Sequence, residues 1–95
     1  MKLFRLGDVY ATPRALEALE QADVPPSDLL RRHREGDWGD LSQADNDANT
    51  SALENGSRIF SAYVLANGIK VWVITEAVND TGDRESTCLL LPSEY

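Results

Sequence analysis

Ninety-five residues with a net charge of −7 and 42% hydrophobic content fit one domain, residues 1–95, around a modest core. The composition is ordinary for a globular protein, so a disordered chain is not the expected reading. It also argues against nucleic acid as a partner, because sixteen acidic against nine basic residues repel phosphate. No apolar run approaches a bilayer span, the N-terminus lacks a signal-peptide stretch, and one cysteine, Cys88, allows no internal disulfide, so a cytoplasmic location is expected.

A short strand is predicted at Leu3–Leu6. Thr12-Pro13 then reads as an N-cap with proline at the first helical position, and Ala15, Leu16, Ala18, Leu19 and Ala22 form an apolar helical face. Val24-Pro25-Pro26 stops that helix. Ser27 is the expected cap of a second helix, Asp28 to Glu35, which Gly36 terminates; Asp28 at its start and Arg31, Arg32 and Arg34 at its end suit the helix dipole. Asp37-Trp38-Gly39-Asp40 reads as a loop. Ser42 with Asp45 resembles a capping box for a third helix running to about Glu54, whose apolar face is thin.

From Arg58 the pattern turns to β. Arg58–Leu65 and Ile69–Val78 flank Asn67-Gly68, a strong hairpin signal, and Arg84–Leu91 follows a longer turn. The expected fold is therefore α+β. About three N-terminal helices precede a three-stranded antiparallel meander, with Ile69–Val78 in the middle and the N-terminal strand available to extend it. Cys88–Leu91 is apolar on both faces, which points to a second chain as cover, either a homodimer or another protein partner.

Much chemistry is excluded. One His and one Cys cannot form a structural zinc site. Asp45-Asn46-Asp47-Ala48-Asn49 begins like a calcium loop but has Thr50 where the turn needs glycine and Gly56 where glutamate should stand, so these read as solvated helix residues. No phosphate loop, dinucleotide fingerprint or nucleophile elbow occurs, and no cofactor is implied.

His33 follows Leu29 and Leu30 at helical spacing, so its imidazole shares their inward face and must find hydrogen-bond partners, with Asp37 one candidate. Trp38 folds over the core as a lid or serves as an interface anchor. The candidate binding set is His33, Asp37, Trp38, Arg58, Tyr63 and Arg84.

The blocks Arg32–Leu41, which contains the pattern HxxGDWGD, Gly56–Tyr63, Val71–Glu76 and Leu89–Tyr95 resemble a family of short bacterial proteins. Its members are called plasmid-related proteins or type I restriction enzyme M subunits. The chain has no methyltransferase motif, so the second name is set aside. The resemblance implies an accessory role on mobile elements: a protein-binding module or inhibitor that counters restriction or CRISPR defence, and more in keeping with a non-enzyme. The turn between Glu76 and Arg84 is longer here than in some members, which loosens any role carried over to Arg84. The architecture also resembles barnase-like and RelE-like ribonucleases. That alternative would make His33 the acid or base, with Arg58 and Arg84 stabilising phosphate.

Overall fold

The computed structural model describes residues 2–95. Its elements are β1 (Asp8–Ala11), α1 (Pro13–Gln21), α2 (Pro26–Arg34), α3 (Gln43–Asn55), β2 (Ile59–Val64), β3 (Lys70–Thr75), β4 (Ser86–Leu90) and a 3-10 turn at Pro92–Glu94. The protein is α+β, as its residue pattern predicts.

Local chemistry sets most boundaries. Thr12 is extended and its hydroxyl accepts the Ala15 amide, so α1 begins at Pro13. Ser42 caps α3 by accepting the Asp45 amide, and Gly56 ends it in the left-handed conformation. The start of α2 departs from expectation. Pro25 is the N-cap, with no side-chain bond, and Pro26 takes the first helical position in place of a start behind Ser27. The ring's fixed φ already suits a helix there, so no hydroxyl is needed.

The sheet has four strands in the order β1-β4-β3-β2, and it is mixed. β2, β3 and β4 form the antiparallel meander, while β1 runs parallel to β4. Two expectations are corrected here. The sheet is not confined to three antiparallel strands, and its N-terminal strand lies at Asp8–Ala11, not at Leu3–Leu6. Gly7 explains the shift. It has φ +67°, and a Cβ there would sit 2.4 Å from the carbonyl oxygens of Arg84 and Glu85. Only glycine lets the chain turn so tightly into line beside β4. Residues 3–6 pass over the helix side of the sheet instead, where the Leu3 amide donates to the Arg34 carbonyl at 2.8 Å.

With β1 outside it, β4 is an interior strand. Leu89 on its helix face is fully buried, and Leu90 on its other face is buried within the single chain. That strand by itself therefore does not require a second chain as cover. β3 ends sooner than expected, at Thr75, and β4 starts later, at Ser86; between them Val78 and Arg84 meet in an isolated bridge.

α1 and α2 cover one face of the sheet. Leu19 and Leu29 pack there against Tyr63, Val71, Val73 and Leu89. A second, smaller core joins Trp38, Ala52 and Ile59, with Phe4, Leu41 and Leu53 around it. The opposite face carries Phe60, Trp72, Ile74 and Cys88 at alternating positions and receives no helix across its middle. Among the described residues no helix is long and apolar enough to cross a membrane.

Candidate functional site

His33 projects inward from α2, as its spacing predicts, and its exposure is 0%. Its Nδ1 lies 2.5 Å from the Ser61 hydroxyl on β2, and its Nε2 lies 2.9 Å from the Thr75 hydroxyl on β3. The chain continues from Thr75 to the Thr87 hydroxyl on β4 at 2.7 Å, and from Thr87 to the Leu6 carbonyl at 2.7 Å. A carbonyl can only accept, so the whole chain has one direction. Thr87 donates to Leu6, Thr75 donates to Thr87, His33 donates through Nε2, and Ser61 donates to Nδ1. Burial, with the charge of Arg84 adding to it, pushes the imidazole pKa down to about 3. The ring is neutral, sealed and fully occupied.

Asp37 does not pair with His33. It accepts from Arg32 at 2.7 and 3.2 Å on the surface, and this bond holds its carboxyl below the usual range. The Arg32 guanidinium lies 4.5 Å from the centre of the Tyr63 ring, while the Tyr63 hydroxyl donates to the Asp37 carbonyl at 2.7 Å. Burial pushes that phenol up to about 12. Trp38 is the lid the sequence offered: buried, and packed on Ala52 and Ile59. Its loop also closes the outer edge of β2, since the Ala62 amide donates to Trp38 and the Ala62 carbonyl accepts from Asp40. Asn49 closes the next stretch of the same edge. Its amide group donates to the Phe60 carbonyl at 2.6 Å and accepts the Phe60 amide at 3.0 Å. It is a buried pairing residue, and the solvated role expected of it is corrected.

Arg84 is buried and spends its guanidinium on three carbonyls, those of Ser57, Glu76 and Ala52, at 2.7, 2.9 and 3.1 Å. It ties the end of α3 to the sheet. Arg58 is exposed and lies with Phe60 on the opposite face, its guanidinium 5.8 Å from the centre of the Tyr95 ring. His33, Arg58 and Arg84 therefore do not converge on one cleft. Among the described residues no group of three His, Cys, Asp or Glu side chains is placed to hold a metal ion.

A concave surface does exist on the far face. Arg58, Phe60, Trp72, Ile74 and Tyr95, with Asp45, Ala48 and Asn49 of α3, line a groove of about 300 Å³. Phe60 meets Trp72 edge to face at 4.9 Å, and Trp72 meets Tyr95 at 5.7 Å. Tyr95 is 67% exposed. Asp45 and Arg58 place one charge of each sign at the rim. Of these residues the sequence singled out only Arg58. The missed signal was Phe60 and Trp72 sharing a strand face that no helix was available to cover.

No protein-family model matches the chain, and no curated protein or solved structure is significantly similar to it.

Proposed function

We propose that the chain is a non-enzymatic protein-binding module whose binding element is the aromatic groove on the open face of the sheet. One observation carries this reading. The one histidine is sealed behind filled hydrogen bonds, whereas Phe60, Trp72 and Tyr95 line a groove open to solvent. Semi-exposed aromatic clusters with a polar rim suit protein recognition, because rigid rings give large contact area at small entropic cost. The groove accepts a partner segment that buries one aromatic or large aliphatic side chain against Trp72, with rim contacts to Asp45 and Arg58. The resemblance to plasmid-related proteins makes a host defence protein the natural source of such a segment.

The test is to pan a displayed peptide library against the purified chain and measure the enriched peptides by calorimetry. They should share an apolar anchor and lose about tenfold or more in affinity with Tyr95→Ala or Phe60→Ala, but not with Val64→Ala outside the groove. Enriched peptides indifferent to both groove substitutions would refute the reading. So would RNA cleavage by the pure protein that His33→Gln abolishes.

A further inference from the structure

We propose that the free edge of β1 is a homodimerisation strand, two copies pairing it antiparallel about a twofold axis through Tyr10. The sheet has two edges, treated in opposite ways. That of β2 is closed by the Asn49 side chain and by the Gly39 loop. Among the described residues nothing covers that of β1 in this way. Asp8 and Thr12 donate to the Glu85 and Leu89 carbonyls, so the parallel ladder uses alternate residues and leaves the amides and carbonyls of Val9 and Ala11 facing away from β4. Val9 is 47% exposed and Tyr10 58%. The strand Asp8-Val9-Tyr10-Ala11 has no proline and no lysine, and a single charge. Exposed edges normally carry such guards against pairing.

The strand is also complementary to itself. Pairing about Tyr10 sets Val9 against the partner's Ala11, outward groups against outward groups, and each such pair makes both of its backbone bonds. Asp8 then faces the partner's Thr12, whose hydroxyl is bonded to Glu94, so this end also sets two carboxylates near each other. By register, Phe60, Ile74, Cys88 and Tyr10 form one row across the open face. The twofold axis continues that row through a Tyr10–Tyr10 contact. Charge favours the same arrangement. Lys2, Arg5 and Arg34 line the cleft beside Val9, whereas Glu94 is bonded to Thr12 at the strand's other end. The axis brings Lys2, Arg5 and Arg34 of one copy to the end where the partner's Glu94 lies, and there they offset the charge of Asp8.

This proposal is independent of the groove. Sedimentation and amide exchange of the purified chain across a concentration series test it. The mass should rise toward a dimer, with the Val9 and Ala11 amides slowing as it does, while those of Asp8 and Tyr10, already held by β4, stay unchanged. Val9→Pro removes only an outward N–H and should weaken association about tenfold or more, as should Tyr10→Lys, whereas Tyr95→Ala should leave it intact. A chain monomeric at every concentration overturns the proposal and leaves the edge to a strand of another protein. Association with fast Val9 and Ala11 amides, or association insensitive to both edge variants, overturns it equally.

Discussion

The ring of Phe4 stands edge-on to that of His33, centroids 5.2 Å apart and planes at 87°. The N-terminal segment thus covers the imidazole from one side while the strand hydroxyls hold it from the other. A pH dependence follows. Unfolded, the ring titrates near 6.5; folded, its pKa is about 3. Between those values the unfolded chain binds a proton that the fold rejects, so stability falls as pH drops through 6.5 and stops falling for this reason near 3; above 6.5 the ring adds no slope. The protein should lose about 2 kcal/mol between about pH 7.5 and pH 5. The carboxyls of Asp37 and Glu94 are held below their usual range and titrate later. Urea denaturation at the two pH values checks this. His33→Gln should flatten the slope, because the chain has one histidine.

Arg84 and Arg58 should respond in opposite ways to substitution. Arg84→Met takes the donor from the Ser57 and Glu76 carbonyls and one of two donors from that of Ala52, which keeps the Gly56 amide, and should destabilise by about 2–3 kcal/mol. Arg58→Ala on the surface should change stability by less than about 0.5 kcal/mol. Chemical denaturation of both variants separates a clamp from a surface cation. Equal losses would contradict the assignment.

Asn49→Asp keeps the size of the side chain and its acceptor but loses the donor that serves the Phe60 carbonyl. It also buries a charge beside that oxygen. The expected cost is about 2–3 kcal/mol. Faster exchange of the Phe60 amide in the variant would locate the damage at the edge of β2, and an unchanged melting curve would argue against the pairing role.

Two glycines of similar φ make a matched pair. Gly39 at +77° has the Ala62 carbonyl oxygen 2.1 Å from where a Cβ would be, whereas Gly68 at +81° has nothing within 4 Å. Gly68→Ala should cost about 1 kcal/mol, the left-handed strain alone. Gly39→Ala must also break the Ala62 bridge, so its melting temperature should fall much further.

The elements that the sequence announced are those governed by local chemistry. Thr12-Pro13, Ser42 and Asn67-Gly68 act within a few residues of themselves, and strand alternation puts Val71, Val73 and Thr75 on one face, the one that the helices cover. Legibility fails where a partner is distant in the chain. β1 has four residues, three of them exposed, and no alternation to report; its pairing depends on β4 more than seventy residues away. Asn49 reads as a solvated helix residue because the strand edge it serves is invisible locally. His33 could be placed inward from its leucine neighbours, but Ser61, Thr75 and Thr87 could not be named as its company. Each is an unremarkable hydroxyl on a different strand.

The first strand of the chain is laid against the last. β1 leaves the ribosome before β4 and has no ladder until Ser86–Leu90 exists, and Thr12 awaits the Glu94 carboxylate. Closing so wide a loop comes late in folding. A nascent chain halted before Thr87 therefore keeps an unlatched first strand, which joins the sheet only once Ser86–Leu90 has been made.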